Sequence, residues 1–141
     1  MSTEIDTVSV PLHSRYILTH VVGQSLAFPA SWVTDILVIE RSQVLALPFY
    51  NPGVTGVVHY QGKIVPLVSA HFIFTQQQEQ VMKQTLVGVR LSQPDALAGV
   101  GVVVDRLVDS LTAEQLTVER VFQPCDLPSF LWQPQRWHLR G

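Results

Sequence analysis

Apolar positions along this chain recur in short runs broken by glycine, proline or polar pairs, the pattern of strands rather than of long helices. Tyr16 to Val22 is rich in strand formers, and Gly23-Gln24 breaks it before a second run from Ser25 to Phe28, which predicts a first hairpin. Between Ala30 and Glu40, Val33, Ile36, Leu37 and Ile39 fit a helical spacing, but the β-branched content favours a strand over Ile36 to Glu40 after a turn near Ala30-Ser31. Residues 53 to 68 read as two apolar strands joined at Gln61-Gly62, where a glycine in the second central position accepts the positive φ of a primed hairpin turn. Gly56 serves no turn, so its expected role is to let backbone or a ring approach closely. Pro66 cannot donate to a ladder and is expected at an edge or a bulge.

The glutamine-rich stretch from Thr75 to Lys83 offers little to bury and reads as a surface loop with room for one helical turn. Beyond it, Thr85 to Leu91 and Ala98 to Val104 read as strands, with Ser92 to Asp95 as the turn. Val100, Val102 and Val104 share one face of the latter, and Gly99 and Gly101 leave room on the other. Short strands with turn signals every ~8–12 residues predict a barrel or a sandwich.

Composition narrows the function classes. A chain of 141 residues is one ordinary domain, large enough to bury about two thirds of its unfolded surface. Apolar residues make up 47% and charged ones 14%, below the usual quarter, so little of the surface can be charged and binding partners are expected. The net charge is −2, and Lys and Arg are scattered singly, which gives no basic stripe for phosphate neutralisation and argues against nucleic acid. Cys125 is the single cysteine and cannot form an internal bridge. With no signal peptide and no apolar run of about 18 residues, a cytoplasmic protein without direct membrane insertion is expected. Residues 1–13 read as a flexible leader and 14–141 as the folded domain.

Catalytic and metal-binding constellations are missing from the pattern. Ser69 and His71 would share a strand face, but no Gly-x-Ser-x-Gly elbow and no third group to orient the imidazole accompany them, so they read as an incidental polar face. His13, His20, His59, His71 and His138 have neither i, i+4 spacing nor a partnering cysteine, which predicts no metal. Gly99-x-Gly101 lacks a third glycine and a following helix, which predicts no dinucleotide cofactor. The chain is expected to bind rather than to catalyse.

Three ordered blocks within about residues 14 to 120 carry a family resemblance. Gly56, Gly62 and Pro66, with apolar Val57, Ile64 and Leu67, match the pattern G-x-x-N-L-R-G-x-x-x-P-V-x-D-L-R. Upstream stand Ala27-Phe28-Pro29, Val33-Thr34-Asp35-Ile36 and the Leu47-Pro48 to Pro52 link. Downstream stand Gly101 to Asp105 and Ser110 to Leu116. Together they resemble the CheW-like domain, the adaptor fold of bacterial chemosensory arrays. The resemblance implies a mainly β fold of two small SH3-like five-stranded barrels sharing a core. It also implies a non-catalytic adaptor coupling the regulatory domain of a CheA-like histidine kinase to a methyl-accepting chemoreceptor, in flagellar or pilus-driven motility. Carried over position by position, the kinase side falls on Val33, Asp35 and Ile36, although Val33 and Ile36 read equally as core. The receptor or hairpin side falls on Gly56, His59, Gln61, Gly62 and His71, with Pro66 and Asp105 as structural positions.

Departures from the family pattern concern charge and length. Gln61 stands where the family has Arg, His59 where it has Asn, and Ser69-Ala70-His71 where it has D-L-R, so the usual ion pairs are not expected. An alternative implied by these changes is a diverged module serving in a different complex. Trp137 to Gly141 looks like the family's second L-R-G turn, after which a strand and a helix would follow. The second barrel is therefore expected to lack its C-terminal strand and helix, and the chain is expected either to self-associate through that open edge or to expose apolar surface there.

Overall fold

The computed structural model describes residues 15–47, 54–75, 83–116 and 120–127. The expected leader over 1–13 and the expected incomplete C-terminal edge, with Trp137 to Gly141, lie outside them. Strands β1 (Arg15–Val21) and β2 (Gln24–Pro29) form the first hairpin around Val22-Gly23. A turn of 3-10 helix at Ala30–Trp32 leads into β3 (Val33–Glu40). The main hairpin follows as β4 (Val54–Tyr60) and β5 (Lys63–Ser69), then the short helix α1 (Ala70–Thr75) and β6 (Thr85–Leu91). The chain closes with β7 (Gly101–Val104), β8 (Arg106–Thr112) and the short β9 (Arg120–Val121).

The strands build two curled sheets, a four-stranded one in the order β8-β1-β2-β9 and a five-stranded one in the order β3-β6-β7-β5-β4. The fold is mainly β, in the arrangement of two small barrels sharing a core. Leu37, Ile39, Val58, Val65, Leu67, Leu86 and Val103 fill a small core inside the five-stranded sheet. The larger core lies between the sheets and takes Val21, Leu26 and Phe28 from one side and Val68, Val89, Leu91, Val102 and Val104 from the other. Phe122 stacks on Phe28 with ring centroids 5.0 Å apart, which ties the end of the described chain to β2.

All four residues of β7 are buried. Val102 and Val104 point into the large core and Val103 into the small one, so this strand is the wall common to both. Gly101 leaves its inward face to the side chains of Leu37 and Leu67.

Three sequence expectations are corrected. The strand expected over Ile36–Glu40 begins already at Val33, and the helical alternative does not form, because cross-strand pairing with β6 runs the full length from Val33↔Leu91 to Glu40↔Thr85. Pro66 lies on neither an edge strand nor a bulge: β5 runs between β4 and β7. Its partner Val57 spends both backbone groups on Leu45, with hydrogen bonds of 2.8 and 2.9 Å. Val57 and Pro66 are therefore a non-hydrogen-bonded pair, and the missing Pro66 donor faces the β7 side, where pairing starts only at Leu67. Ser69 and His71 do not share a strand face, since the strand ends at Ser69 and α1 begins at Ala70. Strand β8 had no signal, because its residues from Arg106 to Ser110 are exposed on both faces and carry no alternation.

The hairpin turn takes the primed form, with φ of +51° at Gln61 and +79° at Gly62. At Gly56 the bulge between Val54 and Gly56 gives φ +149°, and a Cβ there would overlap the Leu45 carbonyl oxygen and come within 2.8 Å of Val44 Cγ1. The close neighbour is thus backbone. Both glycines carry conformational strain when replaced, but only Gly56 has backbone in the way, while nothing lies within 4 Å of a Cβ at Gly62. Gly62→Ala is expected to cost about 1 kcal/mol and Gly56→Ala at least about twice that, measured by urea unfolding. Equal losses would contradict the backbone contact.

Candidate partner-binding surfaces

The three residues that the resemblance implies for the kinase side stand at a bulge. Pairing between β3 and β6 shifts register between Val33 and Asp35, and this shift lets Val33 and Ile36, three apart, pack against the same large core. Both are half-buried. Asp35 points the other way, with Leu37 and Ile39, toward the small core. There its Oδ2 meets Arg90 Nη1 at 3.5 Å, with the Arg90 side chain 12% exposed and that of Asp35 29%. Asp35 Oδ1 and Arg90 Nε are buried without a partner. The acid is therefore committed to a neighbour within the fold, and the three side chains do not share one face. Sequence reasoning missed Arg90, whose only signal was a lone cation inside an apolar strand.

The hairpin set is split as well. His59, Gln61 and Gly62 are exposed at or near the turn, whereas His71 sits in α1 beyond the opposite end of β5, ~20 Å away along the strand. His71 is half-buried, its amide donates to Ser69 Oγ at 3.2 Å, and its Nδ1 is buried without a partner. The Ser69 hydroxyl thus serves the start of α1. Gly56 is buried against Leu45 and offers a partner no surface. Asp105 ties the preceding β1–β2 turn, accepting the Val22 amide at 2.9 Å, rather than the turn that follows it.

Among the described residues, two of the most exposed large apolar side chains stand together on the outer face of the main hairpin. Leu45 bridges Val57, Val57 pairs Pro66, and His59 pairs Ile64, so these five side chains stand on one face, opposite Val58 and Val65 in the small core. Leu45 and Ile64 are each 64% exposed. On the same face Val68 is buried in the large core. The half of the hairpin near the turn therefore projects past the four-stranded sheet and is uncovered within the described residues.

The sequence profile of the CheW-like domain matches residues 15–131. The chain belongs to the CheW-like domain family. A solved structure, the scaffolding protein TtCheW from Thermoanaerobacter tengcongensis, is similar at a TM-score of 0.56 and 13% identity, covering 76% of this chain and 75% of that one. At that identity the likeness carries the fold. No curated protein sequence matches the chain. Members of the CheW family are non-catalytic scaffolds, and membership supports a scaffold or adaptor role in chemotaxis-type signalling. No group of metal-ligating side chains occurs among the described residues, and none of their helices is long and apolar enough to cross a membrane.

The Asp35–Arg90 pair generates a stability prediction. Asp35→Ala leaves a nearly buried guanidinium unpaired and is expected to cost about 1–2 kcal/mol, whereas replacing both partners with apolar residues of similar size (Asp35→Leu with Arg90→Met) should cost less than either single change. A double-mutant cycle by denaturant unfolding checks this, and simple additivity would contradict it.

Proposed function

We propose that this protein is the adaptor that couples a CheA-like histidine kinase to methyl-accepting chemoreceptors in a motility-signalling array. Family membership supports the adaptor role, and the observation that carries the coupling is the apolar face of the main hairpin, uncovered among the described residues. A flat strip of Leu45, Val57, Pro66 and Ile64, with His59 beside it, suits burial against an apolar partner surface. The β3 element with Val33, Asp35 and Ile36 is the second contact, to the kinase regulatory domain. Its half-buried side chains leave Thr34 and the 65% exposed Val38 as the groups most open to a partner, with Asp35 held by Arg90.

A diverged module in another complex is the second reading. It is favoured by Gln61 and the half-buried His71 standing where the family pattern carries arginine, because neither supplies a rigid cationic fork.

Binding of the purified chain to a CheA-like regulatory domain and to the signalling tip of a chemoreceptor, each followed by calorimetry, separates the two readings. Ile64→Glu and Leu45→Glu are expected to weaken one of the two partners at least about tenfold with the melting temperature unchanged within a few degrees, and the partner lost assigns the face. Val33→Asp, which buries a charge against the large core, is expected to unfold the domain. Absence of binding to both partners would contradict the coupling role.

Few ion pairs are available at these surfaces. Raising salt from about 50 to 500 mM is therefore expected to change the affinity by less than about threefold. A steep salt dependence would show that other charges hold the complex.

A further inference from the structure

Among the described residues two side-chain-bearing positions, Val22 and Gln61, have positive φ, and Val22 is the β-branched one. It is half-buried and packed against the large core, yet its φ is +53°, in the left-handed region that β-branched side chains avoid. A conformation of that kind persists only where its surroundings hold it. The hairpin closes this turn from within through the Val21↔Gln24 pair, and from outside Asp105 Oδ2 accepts the Val22 amide at 2.9 Å.

Asp105 is the residue between β7 and β8, the point where the chain leaves the five-stranded sheet and enters the four-stranded one. Its own amide donates to the His20 carbonyl at 3.0 Å. Its other carboxylate oxygen meets Lys83 Nζ at 3.5 Å, just ahead of β6. Lys83 is in turn held through its carbonyl, which accepts from Arg41 Nε at 2.6 Å, and Arg41 follows directly on β3. One carboxylate thus touches the β1–β2 turn of the first sheet and the approach to β6 of the second.

We infer that Asp105 is a clasp between the two sheets and that the Val22 turn is the element it holds shut. Closed, the carboxylate accepts the Val22 amide and keeps the first hairpin seated against the β7–β8 crossing. Open, Val22 leaves the left-handed region, its side chain withdraws from the large core, and the end of the four-stranded sheet at Val21 and Gln24 loosens. Glycine at position 22 adopts the closed turn without strain and has no need of the clasp. The clasp therefore fixes the relative placement of the two halves of the domain, which any partner touching both halves reads.

Amide hydrogen exchange on the isotope-labelled full chain, residue by residue, tests this. With Asp105→Ala the amides of Val22 and Gln24 should exchange at least about tenfold faster relative to those of Val89 and Val102 in the five-stranded sheet. Val22→Gly together with Asp105→Ala should return Gln24 to within about threefold of the unmodified chain, since the glycine restores the turn. Asp105→Asn keeps an acceptor for the Val22 amide and loses only the charge facing Lys83, so it should stay within about threefold. It also reads the clasp if Asp105→Ala fails to fold. The inference is overturned if Asp105→Ala leaves the Val22 and Gln24 amides unchanged. It is equally overturned if Val22→Gly adds to the loss instead of reversing it, or if Asp105→Asn loosens the turn at least about tenfold.

Discussion

The rest of the domain depends on one four-residue wall, β7, whose faces belong to different cores. Because Val102 and Val104 fill the large core while Val103 fills the small one, the strand has no solvent face, and both barrels are built from it outward. Such a wall must be short, apolar and correctly registered. A slip of one residue sends Val103 to the large core and Val102 and Val104 to the small one, and moves Gly101 away from Leu37 and Leu67, which need its missing side chain. Its neighbours supply that register from both sides: β6 runs antiparallel with Val89 opposite Val102, and β5 runs parallel with Val68 opposite Val102.

From this wall the exposed surfaces follow. Strand β5 leaves β7 after Leu67–Ser69 have paired with it, so its first half, with β4, reaches beyond the shelter of the four-stranded sheet. Side chains on the inner face of that projecting half still have the small core to enter. Those on the outer face, Ile64 above all, have nothing to cover them within the described residues. An apolar face left open by the geometry of the sheet, in a family of scaffolds, is what makes binding the productive reading of this chain.

Much of the fold was legible because the signals were local. Gln61-Gly62 announced a primed turn between apolar strands, and β4, β5 and β6 fall where alternation and turn residues put them. What failed to show depends on distant chain. Whether Pro66 sits at an edge is decided by which strand lies on its far side, and β7 arrives more than thirty residues later. The exposed edge strand β8 has no alternation of its own and exists because β1 pairs with it. At the candidate surfaces the resemblance points to Val33, Asp35 and Ile36, but the bulge that turns Asp35 toward Arg90 and the two apolar residues toward the large core is a cross-strand feature. For the same reason His71 and Gln61, joined in one motif, stand at opposite ends of β5.

Co-sedimentation tests directly whether the chain bridges two other proteins. A CheA-like kinase and membranes carrying its chemoreceptor, drawn from the same genome, are spun with and without the chain. If the chain bridges them, the kinase pellets with the receptor membranes in proportion to added chain, up to saturation, and stays in the supernatant without it. Kinase recruitment indifferent to the chain, or a chain that stays in the supernatant throughout, would contradict bridging.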